Sequence, residues 1–398
     1  MAPSGICVSE LADIFLDKGF EVHVLCPKVQ DELFEETFNK VQIHRITNCL
    51  SHRLIDYGKR KHANNWFGKV SFILGRILSL RVIPLLPFWP LKNPFYCLRF
   101  IRKGIKLQKQ YRFDIIISSY APFESLYVGL FFKKIHGVKF CTYFVDCLTD
   151  FKHGHRFLTP KFLNYHGYRH EQKIFSASDL ILNLKCHKTN FEDIKYDIYK
   201  HKMRYVDIPY LKDRTTAISE NYSKSTNDII NIVYTGSVRE GSLQYVLQTF
   251  RQIEKVQIHF YGLGQDAIPN LNFIIKHGYV AREKIFEAQI NADILISTVD
   301  YVNNTFIPSK IFEYMSTGKK IIHFCFEKQD VTFSYYSKYR NVLCIDVHNS
   351  IDETIEQIRT FIKKTTHPVS FEELREAFPE NDPKYTIDVI LDSLSLNT

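Results

Sequence analysis

The sequence predicts an α/β protein of two Rossmann-like domains facing across a cleft, and three observations carry that prediction. Short β-branched runs alternate with helical stretches along the chain, the signature of parallel βαβ units. The strand candidates fall into two successive groups of six, implying two sheets. A polar stretch at 212–228, holding Ser219, Asn221, Ser223, Ser225 and Asn227, separates the groups as a linker would. The 398 residues are enough to bury two cores, and 45% hydrophobic with 24% charged residues is a globular balance. The expected units are 1–211, the linker 212–228, 229–380, and a last segment 381–398 whose helix packs back on the first domain.

Taken in order, residues 9–18 with Gly19 and 21–26 read as a helix, its C-cap and a strand. Further strands are expected at 41–46, 114–118, 138–145, 180–184 and 204–208. Ligands of open α/β sheets bind beyond the carboxyl ends of strands. Phe144-Val-Asp-Cys-Leu-Thr-Asp150 ends one such strand, so Asp146 is a candidate to orient a ligand hydroxyl or act as a base, with Asp150 and His153 behind it. A helix cap or loop turn is the competing reading of Asp146. The strand end Ser118-Ser-Tyr-Ala-Pro122 is a second candidate lining.

In the second half, strands are expected at 230–235, 257–261, 272–276, 293–297, 320–324 and 342–345. The first runs into Gly236-Ser-Val-Arg-Glu-Gly241, where Gly236 permits close backbone approach and Arg239 reaches a pyrophosphate. Gly262 and Gly264 close the next strand in a loop, and a plain tight turn is an equal reading of them. The string FIPSKIFEYMSTGKKII from Phe306 to Ile322 says most about chemistry. Pro308 suits a first helical position, and the free amides around Pro308, Ser309 and Lys310 suit a phosphate. Lys310 adds a charged donor. Glu313 stands about one turn further on, where its carboxylate accepts from vicinal sugar hydroxyls. Phosphate plus ribose reads as a nucleotide.

On this string the chain resembles family 4 of the glycosyltransferases (glycosyl transferases group 1), of GT-B fold. The resemblance runs over nearly the whole chain and is strongest between Asn231 and Phe324. It implies that Glu313 binds the donor's ribose and the amides before it the pyrophosphate. His277-Gly-Tyr-Val280 is similar to the segment that flanks the base, which places Tyr279 there. Many members carry a second glutamate where this chain has Thr305; either Asn303 or Asn304 contacts the sugar instead, Asn304 being the candidate, or this site differs. A second basic residue often follows the first where this chain has Glu240 and Gly241, so charge neutralisation rests on Arg239 and Lys310. Members precede the first helix with an apolar strand and a glycine-rich loop, where only Met1 to Gly5 stand here. A truncated start lacking a central strand is expected, with a rearranged sheet as the alternative.

Residues 1–210 carry 32 basic against 19 acidic residues, and 211–398 carry 20 against 24. The stretch 52–112 alone has fourteen basic residues and one acid, Asp56, together with both tryptophans, Trp66 and Trp89. Arg76, Arg81, Pro84, Pro87 and Pro90 break its apolar run, which argues against a membrane span. A basic, aromatic, apolar segment fits docking on an anionic membrane surface. Nucleic acid and a solvated basic face are the rival readings, and neither is preferred.

The start of the chain has no apolar secretory core, which points to a cytoplasmic location on the inner face of the membrane. Nine scattered cysteines read as reduced, mostly buried thiols, and the absence of an Asp-x-Asp pair leaves no expectation of a metal or other cofactor. The sequence therefore predicts a glycosyltransferase moving a sugar from a nucleotide-diphosphate sugar to a hydroxyl of a lipid-linked saccharide, in cell-surface polysaccharide biosynthesis. The resemblance implies a retaining outcome. A nucleotide-sugar epimerase and a degenerate binding or scaffold protein are the alternatives.

Overall fold

The computed structural model describes residues 3–28, 32–61, 65–79, 94–120, 122–145, 147–149, 159–213, 229–238, 243–299, 310–326 and 332–396. They form two compact units, one of residues 1–209 with 383–398 and one of residues 210–382. Residues 210–213 belong to the second unit, where the Leu211 amide donates to the Asn381 carbonyl and the Lys212 amide to Ser316 Oγ.

The first unit opens with α1 (Pro3–Asp17), β1 (His23–Pro27), β2 (Glu35–Phe38) and β3 (Val41–Ile46). Gly19, at φ +85°, turns the chain out of α1. Three helices follow, α2 (Leu50–Lys61), α3 (Trp66–Ser79) and α4 (Pro94–Tyr111). Alternation then resumes with β4 (Ile115–Ser119), α5 (Glu124–His136), β5 (Lys139–Phe144), α6 (Pro160–Ala177) and β6 (Leu180–Leu184). Two 3-10 stretches, Lys185–Phe191 and Ile194–Lys202, lead to β7 (Met203–Val206).

The single six-stranded first sheet expected from the sequence is not what forms. The strands make two pieces, ordered β1-β3-β2 and β4-β5-β6-β7. In a Rossmann order one further strand would lie between the edges of β1 and β4. Both edges are correspondingly less covered: all of β1 is half-buried, as is most of β4, whereas β5 and β6 are almost wholly buried. The sequence also missed β2. Its Glu-Glu-Thr-Phe run has no apolar alternation, and it is a strand because β3 pairs with it antiparallel while His44 and Lys103 engage Glu35 and Arg45 Nη1 sits 2.7 Å from Glu36.

The second unit holds β8 (Ile230–Thr235), α7 (Gln244–Phe250), β9 (Val256–Tyr261), β10 (Ile274–Gly278), α8 (Arg282–Asn291), β11 (Ile294–Val299), α9 (Lys310–Met315), β12 (Lys320–Cys325), α10 (Thr332–Tyr336), β13 (Val342–Asp346), α11 (Ile351–Lys363) and α12 (Phe371–Ala377). Its sheet is parallel throughout, in the order β10-β9-β8-β11-β12-β13. This is the doubly wound order 3-2-1-4-5-6, with its topological switch point between β8 and β11. Ile232, Ile258, Ile296, Ile322 and Phe324 of its strands pack with Val246 and Phe250 of α7 and Ile355 and Ile358 of α11.

The chain then returns to the first unit with α13 (Pro383–Leu394), which packs on α1 and β6. Lys18 Nζ stands 2.7 Å from Asp388 Oδ1, and Lys139 reaches the Leu394 carbonyl at the helix end. Cys26, Cys49, Cys97, Cys141, Cys147, Cys186, Cys325 and Cys344 are free; Cys49 and Cys141 are buried and the others half-buried, so these thiols are less buried than the sequence suggested.

A candidate nucleotide site in the second unit

At the switch point the chain builds a floor from three strand ends. The Gly236 amide donates to the Tyr261 carbonyl, the Val238 amide to Leu263, and the Gly262 amide to Gly278, so the loops after β8, β9 and β10 are zipped together. Buried Gln265 reinforces them, donating to the Phe260 carbonyl at 2.8 Å and accepting from the Gly278 amide at 2.9 Å. This close approach explains the glycine at 262. Its φ is +139°, and a Cβ there would stand 2.1 Å from the Gly236 carbonyl oxygen. Gly264 has the same constraint against the Val238 carbonyl, at 2.2 Å.

The helix α9 is bolted to this floor. Ile311, Phe312, Tyr314 and Met315 are buried, leaving Lys310 and Glu313 on the side the core does not claim. Tyr314 Oη lies 2.9 Å from the Thr235 amide nitrogen, which donates to it, and 3.0 Å from Thr235 Oγ1. Thr235 Oγ1 also accepts from Gln289 Nε2 at 3.1 Å. Burial raises the Tyr314 phenol above its ordinary range, so it stays protonated. With α9 so fixed, Lys310 Nζ sits 4.9 Å from the Tyr234 ring and 4.0 Å from the position a Cβ would take on Gly236. Glu313, its side chain only 13% exposed, faces Arg282 Nη2 at 3.3 Å.

Gly236, Gly262, Gly264, Lys310 and Glu313 are thus brought to one end of the sheet. Tyr279 follows Gly278 directly and is 74% exposed, its ring turned to solvent. His277 is engaged by the sheet instead, stacked 4.1 Å from the Tyr261 ring and within 3.0 Å of His259. Arg239, Asn304, Thr305, Pro308 and Ser309, and in the first unit Asp146, Asp150 and His153, lie outside the described residues. Arg282 is the residue that sequence reasoning missed. It opens α8, three residues after Tyr279, and nothing in its neighbours along the chain distinguishes it from a surface arginine. Among the described residues, no group of histidine, cysteine and acidic side chains could hold a metal ion.

No protein-family model matches the chain, and no curated protein matches it in sequence. Solved structures do match. Sucrose-phosphate synthase from Thermosynechococcus elongatus superposes with a TM-score of 0.61 at 11% identity, over 98% of this chain and 94% of that one. Anabaena HepE in complex with UDP and glucose gives 0.57 at 13%, over 99% and 96%. The catalytic domain of starch synthase IV from Arabidopsis thaliana bound to ADP and acarbose gives 0.53 at 11%, over 99% and 96%. The chain has the GT-B fold. In GT-B terms, the zipped loops, Lys310, Glu313 and Arg282 all belong to the second Rossmann-like unit, at the carboxyl ends of its strands.

Proposed function

We propose that this chain is a glycosyltransferase that takes a nucleotide-diphosphate sugar as donor. The observation that carries the reading is the grouping of Lys310, Glu313 and Arg282 over a glycine floor at the switch point of a GT-B unit. Glu313 accepts hydrogen bonds from the ribose hydroxyls, and Arg282 holds its carboxylate in place. Gly236 and Gly262 let the diphosphate lie against backbone, and Lys310 meets its charge. Arg239, Pro308, Ser309 and Asn304 keep the roles the sequence assigns them, on the pyrophosphate and the donor sugar, with Tyr279 beside the base.

In the reaction the bond between the anomeric carbon and the diphosphate oxygen breaks, and the acceptor hydroxyl oxygen bonds to that carbon and loses its proton, with retention overall. Lys310 and Arg239 stabilise the departing diphosphate, so the proposal asks no metal of the site. Asp146 orients the acceptor hydroxyl or takes its proton. The acceptor proposed is a lipid-linked saccharide of cell-surface polysaccharide biosynthesis.

An exposed apolar and basic helix face supports that acceptor class. Helices α2 and α3 form a hairpin closed at glycines: a Cβ on Gly58 would stand 2.5 Å from Phe72 Cβ, and one on Gly75 2.8 Å from Ile55. The opposite side of α3 exposes Trp66, Phe67, Val70, Ile73, Leu74 and Ile77, which recur at helical spacing, with basic Lys69 and Arg76 among them. Such a stripe suits shallow insertion into an anionic bilayer at the inner face of the cell membrane. Among the described residues, no helix is long and apolar enough to cross one.

The deciding experiment measures thermal stability against a panel of nucleoside diphosphates, with Glu313→Ala and Lys310→Ala as controls, followed by product analysis with the matching nucleotide sugar. A ligand at about 100 times its dissociation constant adds about 2.7 kcal/mol to the folded state. A shift with one diphosphate, lost in both variants, and a glycoside product are expected. Altered sugar without glycoside would mark an epimerase, binding without turnover a scaffold, and no binding would end the donor-site reading.

A further inference from the structure

The first unit carries a second feature that the donor chemistry does not use. At the amino ends of β5 and β6, opposite the strand ends where ligands of an α/β sheet bind, lies a broad concave surface of about 1080 Å³. It is ringed by Lys133, Lys134, Arg169, Lys173, His201 and Lys202, with Asp179 as its acid. Asp179 is already committed, bonding Lys133 Nζ at 2.7 and 2.8 Å and accepting from the Phe140 amide. We propose that this surface is a binding site for a polyphosphate-class anion, separate from the donor site.

Capping of helix carboxyl ends explains some of these cations. Lys133 and Lys134 are in the last turn of α5, and Lys202 Nζ donates to the Ser178 and Ser176 carbonyls at the end of α6. It does not explain Arg169 and Lys173. They stand at i and i+4 inside α6, where like charges repel and destabilise a helix. No acidic side chain pairs with either among the described residues; Arg169 meets only the Tyr165 ring, at 5.9 Å. Lys134 and His201 likewise have no acid beside them. Burial destabilises the Lys202 ammonium, Asp179 opposes that in part, and Lys133 adds a smaller repulsion that a bound anion would relieve. Five lysine and arginine side chains border a surface of about 1080 Å³, room for more than one phosphate, which favours two or three linked phosphates. Either a soluble polyphosphate compound or a phosphorylated lipid headgroup presents that chemistry.

The test titrates the full chain with tripolyphosphate and, separately, with neutral vesicles and vesicles carrying a phosphorylated inositol lipid, at low and high salt. The wild type is compared with Arg169→Ala/Lys173→Ala and with Lys310→Ala. Expected is salt-sensitive binding that weakens at least tenfold in the double variant and is unchanged in Lys310→Ala. Saturation by free tripolyphosphate names a soluble ligand. Binding confined to the phosphorylated vesicles, with the same loss in the double variant, names the headgroup. Absence of binding in both arms, or binding that the double variant leaves intact, overturns the proposal. Because Lys310→Ala removes the charge that meets the donor diphosphate and leaves this surface intact, failure here and failure of the transferase reading give different patterns.

Discussion

Arg282 Nη2 lies 3.3 Å from Glu313 Oε1, joining the first turn of the helix after β10 to the short helix before β12. Both side chains are largely covered, at 26% and 13% exposure, so the pair is screened less than a surface bridge. Arg282 is fixed further by packing over the Phe286 ring at 4.7 Å. The carboxylate on which the donor reading depends is thus aimed by a residue from a separate element.

Arg282→Ala should therefore weaken binding of the preferred nucleoside diphosphate by about tenfold, about 1.4 kcal/mol, while the fold is kept. Arg282→Lys should recover only part of this, since a point charge lacks the planar fork. Calorimetric titration checks both, and wild-type affinity in Arg282→Ala would show that the pair has no positioning role.

Tyr314→Phe removes the hydroxyl that accepts from the Thr235 amide and ties α9 to β8. The buried amide and hydroxyl of Thr235 lose a partner, at a cost of about 1–3 kcal/mol. Urea denaturation should show this loss, together with weaker diphosphate binding because Lys310 and Glu313 ride on the same helix.

Gly262→Ala and Gly278→Ala separate strain from collision. Both residues have positive φ, but a Cβ on Gly278 meets nothing within 4 Å, whereas one on Gly262 would overlap the Gly236 carbonyl. Gly278→Ala should cost about 1 kcal/mol and Gly262→Ala more than about 2, with loss of diphosphate binding only in the latter. Equal costs from denaturant titration would mean that the loops give way freely.

Glu171 supplies a pH dependence in the first unit. Burial raises its carboxyl from 4.5 to about 7, against hydrogen bonds from Tyr196 Oη, the Leu148 amide and Thr149 Oγ1. The folded state then holds a proton that the unfolded chain releases, so stability falls as pH rises from 4.5 to about 7, by at most about 1.4 kcal/mol per unit. Glu171→Gln lacks this slope, so its stability deficit relative to wild type should narrow across that window. A deficit independent of pH would show that the carboxyl titrates normally.

Ile73→Asp with Ile77→Asp places charge on the exposed stripe of α3, where each side chain is 56% exposed. Melting temperature should hardly change, while partition onto anionic vesicles should fall tenfold or more. Undiminished partition in a flotation assay would remove α3 from membrane docking.

The alternation of strands and helices was legible because side-chain period is local. Runs such as 41–46, 180–184 and 230–235 are strands at the bounds the pattern indicates, and a last helix over 385–394 is part of α13. The helix bearing Glu313, its stop at Gly318 and the strand after it were also legible, since cap, breaker and apolar run stand next to one another. What lies between distant segments was not. That β1 and β4 fail to pair, and that polar β2 is a strand at all, depend on which edges meet in space. Arg282 finds Glu313 across thirty-one residues, and the cationic surface gathers side chains from α5, α6 and the 3-10 stretch before β7. Backbone preference and hydrophobic period act over a few residues and so write the elements into the sequence. Charge pairing and strand order act through space, and only the tertiary structure decides them.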